Sequence, residues 1–152
     1  MIFRLLAPAF LATALPVLAD TPAPTGLWLD ESGRAGIVVA PCGDKLCGTI
    51  GWLKEPIDRK TGQPKTDLKA EDPKDRSRLL CGLKMLWDFM PDGDGHWDGG
   101  HIYDPATGNV YKSEMTIEAD GTLKVRGYVG ISLIGRSQIW TRPAEPLDSC
   151  AG

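Results

Sequence analysis

The fold is decided by residues 99–142, which read GGHIYDPATGNVYKSEMTIEADGTLKVRGYVGISLIGRSQIWTR. The stretch contains four runs of strand-forming residues, at about 100–103, 110–117, 122–129 and 136–142. Turn sequences such as Asp104-Pro105 and Asp120-Gly121 separate these runs. Strands that follow one another through short turns pair as antiparallel neighbours, so this half of the chain predicts a β-meander.

The chain before this stretch has the same character. Gly26-Leu27-Trp28-Leu29 starts a first strand, and residues 35–40 and 46–53 form a hairpin that turns at Gly43-Asp44. A further strand follows Leu79, with four apolar residues predicted on one face: Leu83, Met85, Trp87 and Phe89. Together the runs predict a single all-β domain, an antiparallel β-barrel of about eight strands with one long polar loop.

The N-terminus predicts a secretory signal peptide at residues 1–19. Arg4 precedes an apolar run of about fourteen residues, which falls short of the roughly 20 needed to span a bilayer. Small residues before Asp20 place the cleavage site after Ala19, and Asp20 offers no thiol for lipid attachment. The remaining chain divides into a leader (20–25), the barrel (26–142) and a C-terminal tail (143–152). We therefore expect a periplasmic protein without a transmembrane segment, although a protein secreted further would have the same features.

The charge balance argues against a nucleic-acid partner. The chain has 17 Lys and Arg against 20 Asp and Glu, a formal net charge of −3, and removal of the signal peptide takes away one cation. A mildly acidic domain has no basic patch that would attract nucleic acid or an anionic membrane.

Four cysteines predict two disulfides, because an exported protein folds in an oxidising compartment. Cys42 and Cys47 enclose a four-residue turn, which places them opposite each other on adjacent strands. Cys81 and Cys150 then remain as the second pair, a bridge that closes a long loop and ties down the tail. The competing interpretation is a metal site, but the spacing lacks the close Cys or His partners that zinc needs.

Residues 54–79 interrupt the strand pattern with a polar segment of balanced charge. The segment is a lid or binding loop, a mobile excursion, or a solvated loop held by its own ion pairs. Asp72-Pro73 could start one helical turn, since proline suits the first helical position.

No set of residues predicts catalysis, a metal or a cofactor. His96 and His101 are five apart and would lie on opposite faces of a strand. Residues 92–95 begin like a calcium loop, but Trp97 stands where that loop requires glycine. Ser132 is not in a nucleophile elbow. A cleft that gathered Asp67, Arg76 and His101 would indicate an enzyme, and we expect none.

The last two strands carry the best candidate site. Polar residues of this region, if they face inward, are partly buried, and a buried guanidinium needs an anionic partner. That partner is either a protein carboxylate or a small apolar or amphipathic anionic ligand. The candidate set comprises two cations, two further polar residues and three apolar lining residues: Arg126, Arg136, Tyr128, Gln138, Met85, Trp87 and Trp140.

An apolar loop at residues 131–134 lies between Gly130 and Gly135. It either plugs one end of the barrel or forms an exposed portal for an apolar ligand or protein partner. In the alternative to ligand binding, the chain is an envelope interaction or stress-related module with a filled barrel, acting through this loop or the 54–79 loop.

Three short features resemble the lipocalin and fatty-acid-binding superfamily. Gly26-Leu27-Trp28 resembles the Gly-x-Trp motif of the first lipocalin strand, and Arg142 is similar to the arginine that packs over that tryptophan. Arg126-Gly127-Tyr128 is similar to the Arg-x-Tyr pair that holds a carboxylate in fatty-acid-binding proteins. The resemblance implies a lipocalin-like barrel.

Nearly the whole mature chain resembles the bacterial secreted family catalogued as domain of unknown function 2147. The residues that carry this resemblance are Gly26-Leu27-Trp28, Leu46-Cys47-Gly48, Asp72-Pro73, Arg76-Ser77-Arg78, Gly82-Leu83, Gly99-Gly100-His101-Ile102-Tyr103-Asp104-Pro105, Gly108, Tyr111, Arg126-Gly127-Tyr128-Val129-Gly130 and Gly135-Arg136-Ser137-Gln138-Ile139-Trp140-Thr141-Arg142. The resemblance implies a small lipocalin-like protein of the cell envelope and brings no established activity. One position departs from the pattern, since the family implies Asn at residue 70 and this chain has Ala70.

Overall fold

The computed structural model of the chain describes residues 23–150. The predicted signal peptide, its cleavage site after Ala19, the first leader residues and the last two residues of the tail lie outside the described residues. Within 23–150, no helix has the length and hydrophobicity that crossing a membrane requires.

Eight antiparallel strands form one sheet in chain order, each paired with the next. They are β1 (Gly26–Leu29), β2 (Ala35–Cys42), β3 (Lys45–Leu53), β4 (Lys84–Pro91), β5 (His96–Asp104), β6 (Asn109–Ile117), β7 (Leu123–Tyr128) and β8 (Gly135–Trp140). A short 3-10 helix, Pro73–Ser77, lies between β3 and β4. The predicted all-β meander of eight strands is confirmed.

The sheet curls into a half-barrel until its two ends meet at one residue pair. The N–H of Leu29 donates to the carbonyl of Thr141 at 2.8 Å, and the N–H of Thr141 donates back at 3.0 Å. Because β1 has only four residues, β8 is paired with β7 on one side and has no strand along its other edge at its first half.

Arg142 caps one end of the half-barrel. Its guanidinium carbon lies 3.7 Å from the centre of a Trp28 ring, and it donates to the carbonyls of Thr25 and Leu27 at 2.7 and 3.1 Å. Gly26 permits this approach, since a Cβ there would lie 2.8 Å from the guanidinium. Desolvation lowers the pKa of Arg142 from its usual value. The arrangement is the one that the lipocalin resemblance implies.

The hydrophobic core fills the half of the interior nearest Arg142. It comprises Trp28, Ile37, Val39, Leu86, Phe89, Trp97, Met115, Leu123, Val125 and Trp140. The ring of Phe89 crosses the interior over Gly100, where a Cβ would lie 2.5 Å from the ring. This half is therefore closely packed.

Strand β4 departs from the strict alternation that its sequence predicts. Asp88 has a φ of 64°, in the left-handed region, and adds a residue to the strand at this point. Leu86 and Phe89 are both buried as a result, while Trp87 lies on the outer face and stacks on His101 with ring centroids 5.6 Å apart. The prediction that Trp87 and Phe89 share a face is wrong.

The 54–79 loop has a defined fold held by backbone contacts within the loop. Isolated bridges join Ile57 to Pro64 and Thr66 to Leu79. The helical turn predicted at Pro73 is present, and the carboxylate of Asp72 accepts from the N–H of Lys74 at 3.0 Å.

Both predicted disulfides are formed. Cys42 and Cys47 close the β2–β3 turn with their Cα atoms 5.7 Å apart. Cys81 and Cys150 have Cα atoms 5.9 Å apart and connect the tail to the segment before β4. The N–H of Cys150 also donates to the carbonyl of Gly51 at 2.9 Å. The tail is thus attached to β3 by a hydrogen bond and to the segment before β4 by a disulfide.

Candidate functional site

Two adjacent cavities, named lobes here because they share lining residues, open at the end of the half-barrel opposite the packed core. The lobes have volumes of about 400 and 370 Å³, and Ile102, Asp104 and Gln138 line both. Each volume lies within the range of small-molecule sites, roughly 300–1,000 Å³. The interior is therefore filled at one end and open at the other.

The first lobe has an apolar floor and a charged rim. Its floor includes Ile37, Ile50, Met85 and Trp140, which strands β2, β3, β4 and β8 direct inward. Its rim comes from the β1–β2 turn and the 54–79 loop and comprises Asp30, Arg34, Glu55 and Lys65. Lys65 and Glu55 lie 3.8 Å apart as an ion pair. The apolar part of a ligand bound here would lie on the floor, and its polar part would lie at the rim.

The second lobe lies under the β7–β8 loop. Tyr111, Val125 and Gly127 form its inner wall, and Arg136 lies at its mouth. Gly127 leaves space for the side chains opposite, since a Cβ there would lie 3.3 Å from Ile102. Sequence reasoning missed Tyr111 as a lining residue, although its alternation with the buried Ser113 and Met115 on β6 predicts an inward side chain.

Gln138 is held in one orientation by Trp140. The indole N–H of Trp140 donates to the side-chain oxygen of Gln138 at 2.9 Å. Because an indole nitrogen can only donate, this bond fixes the carbonyl end of the amide on Trp140 and leaves the amide NH₂ as a free donor. Gln138 lines both lobes, so this donor faces the space that a ligand would occupy.

Arg136 follows the same inward alternation as Gln138 and Trp140, because their cross-strand partners are Gly127, Val125 and Leu123. Within residues 23–150 its guanidinium has neither a hydrogen bond nor an ion pair. One free cation and one free amide donor on a single strand face make this rim suited to a carboxylate or another anion.

Asp104 lines both lobes, but its carboxylate is directed into the β5–β6 turn. Its two carboxylate oxygens accept from the N–H of Ala106 and the hydroxyl of Thr107, both at 2.9 Å. Both oxygens therefore have partners in the β5–β6 turn, which limits their repulsion of an anion at Arg136.

Arg126 lies on the opposite face of β7. Its cross-strand partner is Ser137, and its guanidinium donates to the carbonyl of Ser132 at 2.7 Å and to the hydroxyl of Ser137 at 3.0 Å. The hydroxyl of Ser132 in turn donates to Glu114 at 2.8 Å. Arg126 thus holds the β7–β8 loop against the outside of the sheet.

Tyr128 shares that outer face, although it also contributes to the mouth of the second lobe. Burial raises the pKa of its hydroxyl, and the negative charges of Asp98 and Glu114 raise it further. The structure therefore divides the seven candidate residues. Met85, Arg136, Gln138 and Trp140 meet at the cavity, whereas Trp87, Arg126 and Tyr128 point away from the interior.

A second polar cluster, missed by sequence reasoning, fixes the 54–79 loop. Asp67 is fully buried and accepts from the hydroxyl of Tyr103 at 2.7 Å and from Arg78 at 2.9 and 2.8 Å. Burial raises the pKa of Tyr103, and the hydrogen bond to Asp67 raises it further. The same carboxylate raises the pKa of Arg78. These contacts are internal, so the cluster is a structural latch.

The trio that would have indicated an enzyme has separate partners. Asp67 binds Tyr103 and Arg78, Arg76 donates to the carbonyl of Ala70 at 2.9 Å, and His101 stacks on Trp87. Residue 70, where the family resemblance implies Asn, is Ala70, and it contacts Arg76 through its backbone carbonyl. In the part of the chain from 23 to 150, no group of three His, Cys, Asp or Glu residues could hold a metal ion.

Comparisons with known proteins agree with the fold. A solved structure titled "Protein HP1028 from the human pathogen Helicobacter pylori belongs to the lipocalin family" is similar, with a TM-score of 0.67 and 18% sequence identity over 80% of this chain and 83% of that one. At that identity the likeness shows the fold alone. No curated protein matches the chain. A family model matches residues 26–142. The chain thus belongs to the family described as "Uncharacterized protein conserved in bacteria (DUF2147)" and has a lipocalin-like fold.

Proposed function

We propose that this chain is a periplasmic binding protein whose open half-barrel holds a small apolar or amphipathic anion. The observation that carries the proposal is the two-lobed cavity with Arg136 and Gln138 at its rim. The apolar floor at Ile37, Ile50 and Met85 suits a short hydrocarbon segment, and Arg136 and Gln138 supply a free cation and an amide donor for an anionic head. The packed half of the barrel limits the length of that segment.

A role in binding, without catalysis, fits this arrangement. The two groups proposed to hold the anion are the guanidinium of Arg136 and the amide of Gln138, which orient a ligand through donated hydrogen bonds. The exported location is supported by the signal-like N-terminus and by the two disulfides, which persist in oxidising compartments.

The proposal is tested by calorimetry on delipidated protein. Decanoate is titrated beside the neutral alcohol of the same chain length, and we expect decanoate to bind more tightly. Arg136→Ala should weaken decanoate binding about tenfold, because a charged hydrogen bond at a partly exposed rim contributes about 1.4 kcal/mol.

Lys112→Ala is the matched control, since Lys112 is an exposed cation on the outer face of β6. Its decanoate affinity should equal that of the unaltered chain. Absence of decanoate binding, or equal losses in the two variants, would remove the site.

The alternative function is an envelope interaction module with no small-molecule ligand. Two features support it: the packed half of the barrel nearest Arg142 and the exposed apolar β7–β8 loop. Native mass spectrometry of freshly purified protein separates the two proposals, because a binding protein should retain a small molecule that the interaction module lacks.

A further inference from the structure

The β7–β8 loop presents an apolar tip, defined here as residues 129–134. Four aliphatic side chains of the tip are exposed: Leu133 at 87%, Ile134 at 65%, Val129 at 64% and Ile131 at 57%. No charged residue lies between Tyr128 and Gly135. Such a concentration of exposed aliphatic side chains on one loop needs a physical reason, because each disfavours exposure to water.

Several polar atoms of the tip have partners within the protein. Within the turn, the N–H of Val129 donates to the carbonyl of Ile134 and the N–H of Ile134 donates to that of Ile131, both at 3.0 Å. The carbonyl and hydroxyl of Ser132 are bonded to Arg126 and Glu114 on the sheet. The one polar side chain of the tip therefore faces the protein, and the outward surface is hydrocarbon.

This arrangement favours lipid over protein as the partner. Entry into the apolar part of a bilayer favours polar side chains that are satisfied internally, and the contacts of Ser132 with Arg126 and Glu114 meet this condition for the one polar side chain of the tip. Protein interfaces depend on aromatic anchors and polar rims, and the tip offers neither. Arg136, which is exposed, follows the tip by two residues and offers a cation to headgroup phosphates.

The tip is also continuous with the cavity. Val129 and Ile134 belong both to the tip and to the lining of the second lobe. We propose that the tip inserts its aliphatic side chains into the surface of a phospholipid bilayer, so that the cavity mouth opens directly onto the lipid. Transfer of a ligand from the leaflet rests on the proposed function, whereas the docking itself does not.

The docking is tested by flotation of the purified mature chain with phosphatidylcholine vesicles, with and without phosphatidylglycerol. We expect binding to both compositions that persists at high salt, because the contact is apolar. Leu133→Ser should weaken binding at least about tenfold, because it removes a leucine side chain that would be fully buried in hydrocarbon.

Met90→Ser is the matched control, since Met90 is 47% exposed on β4, which lies three strands from β7 in the sheet. It should bind vesicles as the unaltered chain does. Failure to float, or binding that needs phosphatidylglycerol and disappears in salt, would overturn the docking. Equal losses in Leu133→Ser and Met90→Ser would also overturn it.

A decanoate titration without vesicles separates this inference from the proposed function. Leu133 does not line the cavity, so Leu133→Ser should keep the decanoate affinity of the unaltered chain. Decanoate binding without flotation would refute the docking alone, and flotation without decanoate binding would refute the ligand site alone.

Discussion

Replacing Asp67 by alanine removes the carboxylate that latches the 54–79 loop to strand β5. In the intact chain this fully buried group accepts from Tyr103 and twice from Arg78. The backbone of Asp67 also donates to the carbonyl of Arg78 at 2.9 Å. Loss of the carboxylate should loosen the loop without disturbing the sheet beneath it.

The magnitude follows from the exposure of the two partners. Tyr103 is buried, so its hydroxyl would lose its acceptor at a cost of about 1–3 kcal/mol. The side chain of Arg78 is 42% exposed and can recover water, so its share is at most about 1 kcal/mol. We expect Asp67→Ala to lower the free energy of unfolding by about 3 kcal/mol, which corresponds to a decrease of roughly 10 °C in Tm.

Urea unfolding at neutral pH measures the change. Asp75→Ala is the matched control, because Asp75 lies in the same loop 3.4 Å from Arg78 but is half exposed. It should cost no more than about 0.5 kcal/mol. A loss in Asp67→Ala no larger than that in Asp75→Ala would refute the latch.

Two further predictions concern the same loop. Gly108→Ala should lower the free energy of unfolding, measured in urea, by about 2–3 kcal/mol, because the new Cβ would overlap the carbonyl oxygen of Lys69. The control is Gly121→Ala, which also has a positive φ but has nothing near its Cβ position and should cost only about 1 kcal/mol. Equal losses in the two variants would contradict the overlap. Since burial raises the pKa of Tyr103 in the folded chain, its contribution to stability is complete below the unfolded pKa of about 10 and is lost as the pH rises through the folded value. The free energy of unfolding should therefore fall above about pH 10, and it should fall less steeply in Tyr103→Phe. If its dependence on pH were as steep in that variant as in the unaltered chain, the raised pKa of Tyr103 would be contradicted.

The fold could be predicted because its signals are local. Turn sequences such as Asp120-Gly121 and the alternation within β6 and β7 define strands without knowledge of their neighbours. The pairing of Cys42 with Cys47 depends only on a short turn. The contact between Trp28 and Arg142 spans the chain, and it was accessible only through the resemblance to lipocalins.

The placement of the candidate residues was predicted in part, because strand alternation defines two faces of a strand and does not say which one faces inward. Arg126 and Tyr128 looked equivalent to Arg136 and Gln138 in the sequence, but the register of β7 against β8 places the two pairs on opposite faces. Trp87 was misplaced for a different reason. The left-handed conformation of Asp88 is a tertiary feature that strand periodicity cannot show.

The latch was missed because its members are distant in sequence and lie in different kinds of segment. Asp67 and Arg78 belong to a polar loop in which every carboxylate has several cations nearby, so their pairing has no local signal. Tyr103 lies 36 residues from Asp67 and reads as an ordinary strand residue.

The central claim is that a ligand occupies the open half of the barrel, and methionine methyl NMR tests it most directly. Three methionines lie in the described chain: Met85 at the cavity floor, Met115 in the packed core and Met90 on the exposed surface. On titration with decanoate, the Met85 methyl resonance should shift strongly while that of Met90 stays unchanged and that of Met115 moves little. A Met85 resonance that does not respond, or one that shifts no more than Met90, would contradict binding in the cavity.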